Sequence, residues 1–585
     1  MSREDNSCTL NEATSLHRTP LELQPLPHSD RSMSLNNLAC ALLIQFEKEG
    51  QRTDLDDAIS LHRQALELRP LLHPDRSMSL NNLAYALSLQ FKQEGQKSDL
   101  DDAISFHRQA LEFQPLLHPD RSMFLNNLAY ALLLRFNQEG LKSDLNDAIC
   151  FYRQALALQP LPHPDRSMSL NNLAYALSLR FKQEGQRSDL DYAISFHGQA
   201  LELQPSPHPH RSISLSNLAC ALLMKFKQKG KRHDLGDAIS LHRQALELRP
   251  SLHPYRSISL NNLACALSIR YEQEGQQKDL DDAIFLRRQA LELQQASLYP
   301  DQSMSLNNLA YALSLRFKQK GQKSDLDDAI SFYRQALQLR PSPHPNRSMS
   351  LSNLAYALLM RFKQRSQRCD LDDAISLHRQ ALDLRPSPHP DRSTSLSNLA
   401  SALLIQFRQT GQRSDLYDAI SLYRQALKLR ASPHPDRFMS LNNLACALSI
   451  RFQRNGQKSD LDDAISLHRQ ALQLQPLPHP NQSMSLNNFA SVLSIQFEQE
   501  GQRSDLDDSI SLHRQAFKFL PLPYPNQSMS FNNIASTLSV QFEQEGWRND
   551  LDDAISLHSQ ALELLPLFHP DQSSSLFAFS SWKLH

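Results

Sequence analysis

Glycine is scarce in this 585-residue chain: 13 residues, about 2% against a usual ~7%. So few glycines argue against a fold that cradles phosphates in glycine-rich loops. Tryptophan occurs twice and cysteine seven times, too thinly for a disulfide framework. Neither sign of charge prevails, since 61 Lys+Arg against 62 Asp+Glu leave a net charge of -1. The basic excess expected of a nucleic-acid binder is therefore missing. Long apolar runs are absent as well. Stretches such as LAYALLL fall far short of the ~20 residues of a membrane span, and the amino-terminal MSREDNSCTLNEATSL holds no signal-peptide core. Together these absences lead us to expect a soluble protein of the cytoplasm.

What the chain does have is a repeat. Residues recur with a 45-residue step along almost its whole length, and 585 is 13 times 45. The unit Ser77 to Arg121, SMSLNNLAYALSLQFKQEGQKSDLDDAISFHRQALEFQPLLHPDR, divides into two helices. Leu80, Leu83, Ala84, Leu87 and Phe91 form one apolar stripe of 3.6-residue period. Gly95 follows, where a left-handed residue closes a helix. Ser98 then precedes Asp99, Leu100 and Asp101, which predicts a serine cap with acidic residues at the positive end of the helix dipole. The second stripe is Leu100, Ala103, Ile104, His107, Ala110 and Leu111, running to about Gln114. Pro115 ends it, because proline lacks an amide donor and disfavours helix in the residue before it.

The breakers keep this division throughout. Eleven of the 13 glycines share the Gly95 column, and all prolines but Pro20 fall in the linkers. Nothing calls for strands. The second helix recurs 13 times, from Ala13 to Ala554, and the first 12 times. One unit cannot bury enough apolar surface to fold alone, so stability is expected from stacking on neighbours, as in a solenoid.

The residues resemble the tetratricopeptide repeat (TPR). Leu80-x2-Leu83-Ala84-x2-Leu87 stands where that family has W-x2-L-G-x2-Y, and Ala103-x3-His107, Ala110 and Pro115 follow its A-x3-F and closing proline. The linker HPDRSMSLNNLA is similar to the long-repeat variants of kinesin light chains and of fungal arrays. The resemblance implies an all-α fold, a right-handed α-solenoid of about 12-13 TPR-like helix-turn-helix units, ~110-120 Å measured along its layers. Residues 1-11 read as a tail, 12-572 as the array, and 573-585 as a divergent end, either a capping helix or a truncated unit. Pro20 predicts a short or kinked helix in the first unit.

No catalytic constellation, metal site or cofactor motif emerges. Of 23 histidines, eleven are linker residues such as His28, His73 and His118, and nine share the His107 column. That column alternates with Tyr152, Tyr333 and Tyr423, which suits a packing position of aromatic size. No ligand spacing for a metal occurs. Cys40, Cys220, Cys265 and Cys446 fall in one column with Tyr85, Tyr130 and Ser401 and read as small core fillers. Layers ~9-10 Å apart keep them beyond disulfide reach. The sequons at Asn346, Asn481 and Asn526 carry little weight without a signal peptide, and the Ser-Asp-Leu-Asp kinase-like sequences read better as helix caps.

One polar column is invariant. Asn37, Asn82, Asn127, Asn172, Asn217, Asn262, Asn308, Asn353, Asn398, Asn443, Asn488 and Asn533 fill it in every unit, whereas the residue before it changes to Ser216, Ser352 and Ser397. First helices line the concave face in the family this chain resembles. The resemblance therefore implies a ladder of amides, each with a donor and an acceptor for an extended peptide. The alternative is a ladder bonding between neighbouring repeats. The function expected is a non-enzymatic scaffold that binds peptide segments of partner proteins, with specificity from neighbouring columns such as Tyr85, Cys220 and Ser401. Nucleic acid, membrane and small-molecule partners are not expected, and no systematic basic column is evident. A second expectation is a sensor arm of a larger signalling protein, because fungal arrays of this kind often precede a caspase-like CHAT domain.

Overall fold

The computed structural model describes residues 30-563 apart from short linker stretches, the longest being 296-301, 475-481 and 520-526. The expectations for Ala13, Pro20 and the closing SSSLFAFSSWKLH segment fall outside the described residues. Among those residues the regular elements are all helices, twenty-four in number, forming twelve pairs. Units one to twelve begin at Arg31, Arg76, Arg121, Arg166, Arg211, Arg256, Gln302, Arg347, Arg392, Arg437, Gln482 and Gln527.

In unit two the first helix spans Arg76–Glu94 and the second Lys97–Glu112. Leu80, Leu83, Ala84, Leu87 and Phe91 are buried on one helix and Leu100, Ala103, Ile104, His107 and Ala110 on the other, as their spacing requires. Ala84, Ala86, Ala103 and Ala110 keep no exposed surface, so the backbones approach closely. Neighbouring units share cores rather than owning one each: one apolar cluster extends from Tyr271 to Leu493, and others from Leu38 to Ala103 and from Phe91 to Ala193. Gly95 takes φ 74° and donates its N–H to Phe91 O at 2.7 Å. Unit eight has Ser366 at this place, and it holds the same turn at φ 54°.

The helix starts differ from the sequence expectation. Ser98 is not a cap. The N-cap is Gln96, extended at ψ 117° and without a side-chain capping bond. The acidic residue of the first turn is held instead by the first helix: Arg135 Nε and Nη2 grip Asp144 at 2.7 and 2.9 Å. Arg180, Arg270, Arg316, Arg361 and Arg451 hold Asp189, Asp279, Asp325, Asp370 and Asp460 in the same two-pronged way. Where glutamine replaces this arginine, as at Gln90, Gln406 and Gln496, burial raises the pKa of Asp99, Asp415 and Asp505. The linker is also ordered: Asp75 N–H donates to His73 Nδ1 at 3.1 Å, and Arg76 opens the next helix.

A buried polar relay sets one layer against the next. Arg340, just before the linker proline, donates from Nε to Ser303 Oγ in its own unit at 2.8 Å and from Nη1 to Ser350 Oγ in the following unit at 2.9 Å. Asn307 Nδ2 reaches the same Ser350 hydroxyl at 3.1 Å. Arg69, Arg249, Arg385 and Arg430 repeat the two arginine bonds. Gln204 keeps both bonds, with Nε2 donating to Ser167 and Ser214 Oγ donating back to Oε1, whereas Gln114, Gln159 and Gln294 reach the serine of their own unit and leave Oε1 buried without a partner. Buried donors and acceptors left unpaired cost about 1-3 kcal/mol each, so at the arginine joints the relay permits a narrow range of angles between layers.

Repeated at every layer, that angle winds the array into contact with itself. Lys182 Nζ in unit four lies 3.3 Å from Asp391 Oδ1, the residue that leads into unit nine. Gly140 and Gly185 press against the carbonyls of Pro388 and Pro433, so closely that a Cβ would stand 2.2 and 2.0 Å from those oxygens. A turn therefore holds about five units. By contrast Gly411, Gly456 and Gly501, which have the same positive φ, face open space. The left-handed conformation alone costs a non-glycine residue about 1-2 kcal/mol. Gly456→Ala is expected to lose about that much, and Gly185→Ala clearly more, seen as a larger drop in the thermal midpoint. Equal drops would mean that the turns do not touch.

Candidate peptide groove

Each first helix is covered by its own second helix, by both neighbouring first helices and by the preceding second helix. One stripe is left over, and it faces inward. In unit two it carries Met78, Asn82, Tyr85 and Lys92. The asparagines proposed as a ladder, Asn82, Asn127, Asn172, Asn217, Asn262, Asn308, Asn353, Asn398, Asn443 and Asn488, are all half-buried on it. The structure brings them together in one line, one per layer. Three are bonded to the layer before: Asn82 Nδ2 donates to Asn36 Oδ1 at 3.3 Å, Asn127 to Asn81 at 3.2 Å and Asn353 to Asn307 at 3.5 Å. Interlayer bonding and an inward amide edge thus coexist in the same residues.

The column beside it corrects one reading. Cys40, Cys220 and Cys446 are only half-buried and Cys265 is exposed, so they are not core fillers. They stand on the inner stripe together with Tyr85, Tyr130, Tyr175, Tyr311 and Tyr356. Tyr85 Oη donates to Glu47 Oε1 of the preceding unit at 2.5 Å, and Tyr311 Oη to Glu272 Oε1 at 2.7 Å. Tyr175 is 45% exposed. Even so, surrounding protein desolvates its phenol and raises its pKa. Burial likewise pushes the Cys220 and Cys446 thiols up to about 11.

One column near the end of the first helix is basic in half the units. It holds Lys92, Lys182, Lys227, Lys318, Lys363 and Arg408, and the other units carry Glu47, Asn137, Glu272, Gln453, Glu498 and Glu543, so it is not systematically basic. Lys318 Nζ stands 5.4 Å from the Tyr356 ring, within cation–π range.

The variable residue before the ladder is the more deeply buried one. Asn81 Oδ1 accepts from His107 Nδ1 at 3.2 Å, and the bond recurs at Asn36–His62, Asn171–His197, Asn442–His468 and Asn487–His513. Sequence spacing gave the size of this column and not its hydrogen bond, because the partner is 26 residues away on the other helix. Burial pushes these imidazoles down, to about 3 at His107 and to about 4 at His62, His197, His242, His378, His468 and His513. They stay neutral in the fold, whereas an unfolded histidine takes a proton near pH ~6.5. The unfolded chain therefore binds more protons between those values, and stability present above pH ~6.5 drains as pH falls toward 4, by about 3 kcal/mol for each histidine. Thermal melts from pH 7.5 to 4.5 should show a steep loss. His107→Tyr with His197→Tyr, which install a residue other units carry there, should flatten it, and an unchanged slope would contradict the account.

Among the described residues, no group of three His, Cys, Asp or Glu side chains is placed to hold a metal ion, and no helix is long and apolar enough to cross a membrane. The tetratricopeptide repeat family model matches residues 31-75, 76-120, 303-346, 392-436 and 438-481. No curated protein matches the chain. Similar solved structures include the human IFIT1 dimer with m7Gppp-AAAA, 15% identical over 86% of this chain and 94% of that one, TM-score 0.46. Yeast Tom70 is 15% identical over 94% and 96%, TM-score 0.33. A Podospora anserina putative kinesin light chain with nearly identical TPR-like repeats is 20% identical, covering 37% of this chain and 98% of its own, TM-score 0.29. Five matched units, set among twelve of one helix-turn-helix design, make this chain a tetratricopeptide-repeat protein.

Proposed function

We propose that the protein is a non-enzymatic interaction scaffold of the cytoplasm whose inward stripe binds extended peptide segments of partner proteins. The observation that carries this reading is the inner stripe itself: one half-buried amide per layer, flanked by phenols and, in half the units, by a cation. A peptide backbone presents a donor and an acceptor at every residue, and a line of amides answers both. Tyrosines beside it supply apolar area at low entropic cost, with a hydroxyl for orientation. The layers where the column changes to Cys220, Cys265 and Ser401 would distinguish one side chain from another, because they widen the channel locally.

Binding and packing draw on the same asparagines, so both must be measured together. Peptides selected from a displayed library against the wild-type chain provide the probe. Asn172→Ala, Asn217→Ala and Asn262→Ala combined are expected to weaken those peptides by about a hundredfold, at about 1 kcal/mol per lost bond, while thermal stability falls only slightly. Unchanged affinity with lost stability would leave the asparagines with packing alone.

A further inference from the structure

We propose that the contact between successive turns is an ionic latch that closes the inner stripe and opens to admit a ligand. This deepens the proposed function and rests on the inner stripe being the binding face. The first support is dimensional. Lys182 and Asp391, 209 residues apart, stand 3.3 Å from each other, and Gly140 and Gly185 lie under the linkers at Pro388 and Pro433. While the turns touch, the stripe has no side entrance.

The second support is the make-up of the contact. Among the described residues, helices pack only on those of their own unit and its neighbours, and none packs on a helix of the adjoining turn. What joins the turns is a row of linkers resting on first-helix ends. Lys182 and Asp391 form an ion pair whose side chains are 61% and 39% exposed. Tyr175, Lys182, Arg385, His389 and Asp391 surround one crevice there. One unit further on, Lys227, His434 and Asp436 share the next crevice. Exposed pairs contribute about 0-1 kcal/mol and are screened by salt, whereas adjacent layers share a continuous apolar core. The contact between turns is thus the weakest joint in the molecule, and its separation frees the stripe without unfolding a unit.

The cysteines report on the latch without any ligand. Cys220 and Cys265 stand on the inner stripe, while Cys150 and Cys369 are exposed on second helices and serve as controls. The full chain is treated with iodoacetamide or with a large polyethylene-glycol maleimide, and each cysteine is followed by peptide mass spectrometry. In low salt, iodoacetamide is expected to reach Cys265, while the large reagent labels it at least tenfold more slowly than Cys150. Raising the salt to 0.5 M, or combining Lys182→Glu with Lys227→Glu, should shrink that gap to threefold or less. Adding Asp391→Lys and Asp436→Lys to the double variant should restore it. Equal labelling of Cys265 and Cys150 in low salt would show that the turns are open. Protection unmoved by salt and by Lys182→Glu with Lys227→Glu would show that they are not held ionically. Either result overturns the latch and leaves the peptide-binding reading to its own experiment.

Discussion

The polar relay between layers is the constraint on which the rest of the structure depends. Apolar stripes make helices stack, but Leu80, Leu83 and Ala84 would accept a range of crossing angles. Arg340 and its equivalents would not. Each must meet a serine in its own unit and another in the next, and the second serine also serves an asparagine. Removing a partner would strand a buried donor, so the angle between layers is set by hydrogen-bond geometry. Arg69, Arg249, Arg340, Arg385, Arg430 and Gln204 set the angle of their joints in this way, and the apolar stripes carry it across Gln114, Gln159 and Gln294, which bond only within their own unit.

Constant curvature explains why positions that look equivalent in sequence are not equivalent in space. Gly140 and Gly185 lie under a proline linker, whereas Gly411 and Gly456 lie under nothing. Lys182 meets Asp391, although the two residues are 209 positions apart. Winding also gives the inner stripe its character, since a phenol such as Tyr175 keeps contact with water while being desolvated by protein. Binding face and closure are consequences of the same geometry.

Much of this was legible in the sequence. The two helices, their buried faces and the closing glycine follow from spacing, because each depends on neighbours within four residues. Ser98 misled because Ser-Asp-Leu-Asp resembles a cap, while the helix already starts at Lys97 with Gln96 as its N-cap, and in units such as the third the carboxylate of that turn is claimed by an arginine nine residues earlier. The relay was not legible: Gln114 looked like the end of a helix, and its serine lies 37 residues away. Asn82 was found, but its share in interlayer bonding depends on Asn36, 46 residues back. The contact between turns was out of reach, since it depends on an angle summed over about five layers.

The claim on which most depends is that units four and nine touch. Spin labels at Gln183→Cys and Ser387→Cys, beside the Lys182–Asp391 pair and leaving both of its residues in place, in a chain whose native cysteines are replaced by serine, measure it by double electron-electron resonance. Labels on touching turns should give a narrow distribution below about 25 Å in low salt. An open solenoid would separate them by five layers of ~9-10 Å, and a broad distribution centred at about 45-50 Å would contradict the account.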